Sequence, residues 1–276
     1  MNLSYNEETG VLLVPTGRYY GASFLSKYDG LKVVASNTTG DSHINTAWCA
    51  HNGVKVITLN GKSVLWGITA VAELTIGLII ALTRNVLPAV RSVKRGEWNR
   101  YPFGGKKMLS QMTLGIIGMG RIGNHVNNRA KNLFGHILTY DKHMDPEDDL
   151  SELLMESDVV TLHIPIEDNI GFFDVEDFNI MKSGAYFINT SRGEVVVEDA
   201  LIDALDNHLG GAAIDVLSGE FDADFNCETN QLVEYARTHD NLIITPHIGG
   251  STKDAWAMTE EAILENIRDY TSQSGK

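Results

Sequence analysis

The chain has 276 residues, 43% of them hydrophobic, enough for one large or two modest domains with well-filled cores. A formal net charge of -14 argues against nucleic acid or an anionic membrane as partner, because phosphate binding needs a basic surface. Cys49 and Cys227 form no spaced pair with each other or with histidines, which fits a reducing compartment and neither a disulfide framework nor a zinc site.

The first ten residues, "MNLSYNEETG", are polar and acidic, so no signal peptide is readable and a cytoplasmic location is expected. Three short apolar, β-branched runs follow, "VLLVP", "LKVVAS" and "VKVITL". Loops and helical segments separate them, which predicts parallel strands with crossovers. Residues 69–96 then carry a long helical pattern in which Pro88 is expected to kink or break the helix. Its most apolar part, "LTIGLIIALT", is too short to span a bilayer and is bracketed by Glu73 and Arg84. A loop rich in glycine and aromatics comes next, "EWNRYPFGGKKM".

From Thr113 the alternation becomes regular. The runs "TLGII", "HILTY", "DVVTL", "AYFIN", "AAIDV" and "NLIIT" alternate with helical segments, which predicts an α/β fold with a doubly wound parallel sheet. The polar insert "FDADFNCETN" reads as a surface loop, and "NQLVEYART" as a short helix after it.

"TLGIIGMGRIGNHV" places Gly118, Gly120 and Gly123 in the G-x-G-x-x-G spacing, with Arg121 and Ile122 inside it. A chain with 26 glycines produces that spacing by chance, but here it follows a strand and opens a helix, as the motif demands. The first glycine permits the tight turn, the second lets backbone approach a pyrophosphate, and the third allows close helix–strand packing. Asp141 ends the next strand, eighteen positions after Gly123. An acidic residue there binds a ribose 2′-hydroxyl and repels a 2′-phosphate, which favours NAD over NADP. Lys142 and His143 beside it soften that discrimination. The bland alternative is a glycine turn with a capping aspartate.

Three polar residues stand at the ends of later strands. Arg192, in "FINTSRGEVV", is the side-chain type suited to a bidentate grip on a carboxylate. Asp215 ends "AAIDV", with Glu220 just beyond. His247, in "ITPHIGG", ends the last strand. All lie at carboxyl ends of a parallel sheet, the edge where ligands bind. Histidine is the usual mover of one proton near neutral pH, and a neighbouring carboxylate would orient its ring. Singly, each has an ordinary structural explanation. Together they suit hydride transfer coupled to proton transfer, with no metal required.

The segments "GIIGMGRIG", "INTSRGEVVVEDALIDAL", "GGAAIDV" and "ITPHIGGST" together resemble the D-isomer-specific 2-hydroxyacid dehydrogenase family, which includes phosphoglycerate dehydrogenases. The resemblance implies an NAD-dependent enzyme acting on a small 2-oxo or 2-hydroxy acid. It implies that Arg192 holds the substrate, that His247 is the general acid or base, and that Glu220 tunes it. Asp215 would contact the nicotinamide carboxamide. His163, Ile164, Pro165, Thr190 and Gly250 would line the cofactor site, and Thr39 and Gly40 the substrate carboxylate. A homodimer built on the helix from about residue 69 and the loop around Trp98 is also implied. The same resemblance admits a second reading, a non-catalytic NAD(H)-sensing regulator of corepressor type.

Two departures stand out. "VLLVP" matches the family's third strand, so roughly two of the five strands of a flavodoxin-like substrate domain are missing. That leaves a sheet edge that must be covered or paired. A natural short form packing on a partner subunit, a truncated gene product and a misalignment each explain it, and the intact motifs favour the first. The expected layout is a reduced substrate domain over 1–67 and 252–276, and a Rossmann-type NAD domain over 68–251. Secondly, the family's proline-rich link after the glutamate is replaced by "FDADFNCETNQLVEYARTHD".

Overall fold

β-Branched and aliphatic residues fill the short runs of the first third, and those runs become strands. The computed structural model describes residues 2–144 and 149–274. In chain order come β1 (Ser4–Asn6), β2 (Val11–Leu13), α1 (Ala22–Leu25), β3 (Val33–Ala35), α2 (Thr46–His51) and β4 (Lys55–Ile57). The strands form one sheet in the order β1-β2-β3-β4, with β2, β3 and β4 parallel. Alternate side chains leave a strand on opposite faces. Leu12 and Val34 therefore join Tyr20, Leu25 and Ile44 in one cluster, while Val11, Val33 and Ala35 join Leu59, Leu65 and Ile263 in another.

The edge of β2 is paired within the chain. β1 runs antiparallel to it, from "SYN" in a segment that reads as polar in sequence. The Gly10 N–H donates to the Asn6 carbonyl at 2.8 Å and the Thr9 N–H to Asn6 Oδ1 at 3.0 Å, which closes the turn. Tyr5 donates its hydroxyl to the Asp29 carbonyl. Its ring starts an edge-to-face series through Tyr28, Phe24 and Tyr20, with centroids 4.9, 5.4 and 5.2 Å apart. Each such pair contributes about 0.5–1.5 kcal/mol beyond its buried area.

Next in the chain stand α3 (Ala70–Thr83) and α4 (Val86–Lys94). The helix predicted across residues 69–96 breaks at left-handed Asn85 (φ 53°), not at Pro88. Pro88 lies in the first turn of α4, where N–H groups lack an intrahelical acceptor and a missing donor costs little. There follow β5 (Thr113–Ile117), α5 (Arg121–Ala130), β6 (His136–Tyr140), α6 (Leu150–Glu156), β7 (Val159–Leu162), α7 (Val175–Ile180) and β8 (Tyr186–Asn189). The chain continues through α8 (Glu198–Asn207), β9 (Gly211–Ile214), α9 (Gln231–Thr238), β10 (Leu242–Ile244) and α10 (Lys253–Ser274).

The six later strands are all parallel, in the order β10-β9-β8-β7-β5-β6. Leu78, Ile79 and Leu82 of α3 pack with Leu114, Ile116, Val126 and Ile188 over one face. The strand order reverses at β5, flanked by β6 and β7. Crevices at such switch points, outside the carboxyl ends, are where this architecture binds ligands. By compactness the chain divides into one unit of residues 1–68, 221–225 and 250–276, and another of 69–220 and 226–249. The short segment Phe221–Phe225 thus interrupts the second unit, which the sequence does not announce. Phe221 lies tilted against His43 within the first, ring centroids 6.0 Å apart and planes 50° apart.

Candidate active site

The fingerprint turn joins β5 to α5, and its glycines are there for steric reasons. Gly118 is left-handed (φ 92°), and a Cβ on it would stand 2.5 Å from the His163 carbonyl oxygen. A Cβ on Gly123 would meet the Gly118 carbonyl oxygen at 1.9 Å. Gly120, the N-cap of α5, has no atom within 4 Å of that position. Open space at the helix N-terminus is what a pyrophosphate requires. Arg121 and Ile122 open the helix, and burial holds the Arg121 guanidinium below its ordinary range.

Asp141 follows β6 directly. Its Oδ2 accepts the Met119 N–H at 2.7 Å and its Oδ1 the His143 N–H at 3.0 Å. The carboxylate is thereby fixed beside the glycine turn, and each oxygen retains a lone pair for a further donor. Lys142 turns away and donates to Asn169 Oδ1 at 3.0 Å.

His163, just past the end of β7, shares a hydrogen bond with Thr161 Oγ1 at 3.0 Å through Nε2, and its buried Nδ1 has no partner among the described residues. Burial pushes this imidazole down to about 3, so it is neutral at physiological pH. Ile164 packs its Cγ2 against the Gly118 turn, while Pro165 is exposed. Thr190 is buried after β8, its hydroxyl 2.9 Å from that of Thr75 in α3. Open Gly120, the obligatory glycines and the fixed Asp141 carboxylate fit a dinucleotide.

Arg192 is positioned by Asn189, the last residue of β8. Asn189 Nδ2 donates to the Arg192 carbonyl at 2.8 Å, and its Oδ1 accepts from the Ser191 N–H at 3.0 Å and hydroxyl at 2.7 Å. The guanidinium donates to the Ser191 carbonyl at 2.7 Å. It has no carboxylate partner among the described residues.

His247 and Glu220 meet. Nδ1 of the ring lies 2.7 Å from Glu220 Oε1, with the two side chains 34% and 14% exposed. Asp215, 1% exposed, follows β9 and accepts hydrogen bonds from the turn that carries His247. Thr39, Gly40 and Gly250 belong to the first unit. There the loop after β3 is shaped by the Thr38 hydroxyl, which donates to the Gly40 carbonyl at 2.6 Å, and Thr39 is exposed.

Sequence reasoning passed over Asn189, Glu194 and Glu198. Glu198 Oε1 accepts the Ser218 N–H at 2.8 Å and Glu194 Oε1 the Gly219 N–H at 3.2 Å, holding the turn that presents Glu220. Burial raises the Glu198 carboxyl above its usual range. An asparagine ending a buried strand is a readable sign of a side-chain-to-backbone turn. The two glutamates leave no comparable sign, because they sit where any helix start favours acids.

A doubly wound sheet with a dinucleotide fingerprint at its switch point defines a nucleotide-binding fold, and a carboxylate–histidine pair lies at the same carboxyl edge. Residues 76–249 match the family profile described as D-isomer specific 2-hydroxyacid dehydrogenase, NAD binding domain. Among similar proteins, D-3-phosphoglycerate dehydrogenase of Methanocaldococcus jannaschii is 34% identical over 95% of this chain and 50% of its own length. Glycerate dehydrogenase of Methylorubrum extorquens is 32% identical over 91% of this chain and 79% of its own. The crystal structure of D-lactate dehydrogenase from Aquifex aeolicus, complexed with NAD and lactic acid, superposes with a TM-score of 0.79 at 27% identity, covering 96% of this chain and 83% of that one. The chain belongs to the D-isomer specific 2-hydroxyacid dehydrogenase family, although it spans about half the length of the phosphoglycerate dehydrogenase.

Proposed function

We propose that this protein is an NAD-dependent dehydrogenase that interconverts a small 2-oxo acid and the corresponding D-2-hydroxy acid. The observation that carries the reading is the 2.7 Å contact between His247 Nδ1 and Glu220, at the sheet edge where the fingerprint lies. When bound, the nicotinamide supplies or accepts the hydride. With Nδ1 bonded to the carboxylate, that nitrogen carries the proton and Nε2 becomes the proton-exchanging atom. In reduction, protonated Nε2 gives its proton to the carbonyl oxygen. In oxidation, neutral Nε2 takes the hydroxyl proton, and Glu220 stabilises the imidazolium that forms. Arg192 clamps the substrate carboxylate.

Asp141 supports NAD over NADP, since a 2′-phosphate would meet a fixed carboxylate. A homodimer is proposed through α3 and α4. Val86, Leu87, Val90 and Val93 are exposed there, and Trp98 just beyond is 92% exposed, an apolar patch of the kind that partners cover. The acidic charge supports an absence of nucleic-acid or membrane partners, and the two free cysteines support a reducing, cytoplasmic location. Residues 63–83 are apolar and helical enough to cross a membrane by length and composition, and within them Ala70–Thr83 packs on β8 and β9 with half of its residues buried.

The test is NADH oxidation against a panel of 2-oxo acids, with His247→Ala as control. Turnover lost in the variant supports the dehydrogenase. Tight NADH binding with no turnover on any acid, and a stable NADH-dependent complex with a partner protein, would support the corepressor-like reading instead.

A further inference from the structure

His247 has a left-handed backbone (φ 51°), one of three such non-glycine residues among those described. Holding a side-chain-bearing residue there costs about 1–2 kcal/mol, so the surroundings must over-determine it. The His247 N–H is shared between the Thr245 and Asp215 carbonyls, both at 2.9 Å, and Asp215 adds the largest set of bonds across the turn. Asp215 Oδ1 accepts from the Thr245 hydroxyl and from the Ile248 N–H at 2.9 Å, and Oδ2 accepts from the Gly249 N–H at 2.7 Å. The Asp215 carbonyl accepts the His247 N–H at 2.9 Å. Four donors spanning residues 245–249, on both sides of the histidine, thus converge on one aspartate.

The same carboxylate is buried and has no cationic partner among the described residues. A buried charge in that state is tolerable only because oriented N–H and O–H groups surround it. Asparagine could not replace it without turning an NH₂ group on at least one N–H or O–H donor. Gly249 completes the arrangement, because a Cβ there would stand 3.0 Å from Asp215 Oδ2. Glu220 lies five residues beyond Asp215, on the turn held by Glu194 and Glu198.

We propose that Asp215 is a positioning residue: its carboxylate templates the left-handed turn at His247 and so aims Nδ1 at Glu220. This is separate from any contact Asp215 makes with a cofactor, and it rests on the reading of His247 as the proton-transfer group.

Two variants test it, Thr245→Val, which removes one donor to Oδ1, and Asp215→Asn. The first readout needs neither cofactor nor substrate. In nitrogen-15 NMR of the cofactor-free protein, His247 is expected as the Nδ1-protonated tautomer in the wild type and as a tautomer mixture in both variants. The second readout is kinetic. Thr245→Val is expected to lower kcat about tenfold, the equivalent of one hydrogen bond to a charged group, and to alter the pH profile, with NADH affinity retained. If Asp215→Asn fails to fold, Thr245→Val decides alone. An unchanged His247 tautomer and pH profile, or a loss in Thr245→Val confined to NADH affinity, overturns the proposal. If the wild type turns over no acid, the dehydrogenase reading fails while the NMR result still decides the positioning role.

Discussion

Gly193 lies against the Leu217–Ser218 peptide so closely that a Cβ on it would stand 2.0 Å from the Leu217 carbonyl carbon. The residue after the candidate substrate arginine and the turn before Glu220 are therefore one backbone junction. Gly193→Ala is expected to cost about 3 kcal/mol or more, because backbone cannot move aside as a side chain can. It should also depress kcat, since Arg192 and Glu220 move together. Urea denaturation and steady-state kinetics check both, and a variant as stable and active as the wild type would refute the junction.

The acid–base pair predicts graded losses. His247→Ala should lower kcat about 10³-fold with NADH affinity unchanged, the usual effect of removing a general acid or base. Glu220→Gln should cost less, about 10–100-fold, because it removes a charge-assisted hydrogen bond and leaves the imidazole. Fluorescence titration of NADH alongside turnover separates binding from chemistry. Equal losses in both variants would speak against the division of roles.

His163 predicts a pH dependence of stability. Its folded value, about 3, lies below an unfolded value of about 6.5, so the unfolded chain binds more protons between those limits. Stability therefore rises with pH from about 3 to 6.5 and is fully present above that window. Going from pH 7 to pH 5 should cost about 2 kcal/mol on this account. His163→Asn should lack that share of the slope, read from denaturant melts at the two pH values. A parallel slope in the variant would assign the acid sensitivity elsewhere.

Asp141 governs the cofactor preference. Asp141→Ser removes the carboxylate beside the fingerprint and should improve NADP use relative to NAD about tenfold or more. The ratio of kcat/KM for the two cofactors measures it. An unchanged ratio would move the discrimination to another residue.

The exposed face of α4 predicts the assembly. Val90→Glu puts a charge in the middle of that apolar face and should convert a dimer to a monomer at micromolar concentration, visible by light scattering. A wild type already monomeric would remove the basis for the dimer.

β5, β7, β8 and β9 are legible in sequence because parallel strands buried on both faces read as continuous apolar runs, and β6 and β10 follow from the alternation around them. "SYN" is not legible, since an edge strand three residues long, with Ser4 and Asn6 exposed, looks like any polar segment. The sequence points to Pro88 and not Asn85 as the helix break for a related reason. Proline is conspicuous, yet in a first helical turn it is harmless, and the left-handed asparagine that turns the chain is inconspicuous. In the candidate site, Arg192 and His247 announce themselves by residue type after strands, while Glu220, out on a loop, is picked out by the family resemblance. Asn189, Glu194 and Glu198 do not, because their roles consist of accepting N–H groups that only the folded backbone brings to them.

The antiparallel strand β1 also bears on how the protein behaves at high concentration. A parallel sheet whose last strand is left open offers a row of unpaired donors and acceptors to any passing chain, the first step toward ordered aggregates. Here that row is occupied by a segment from the same molecule, short, polar on its outer residues and anchored through the Tyr5 ring. The β1–β2 hairpin acts as a stopper for the sheet, so that displacing residues 4–6 would exchange a capped edge for an adhesive one.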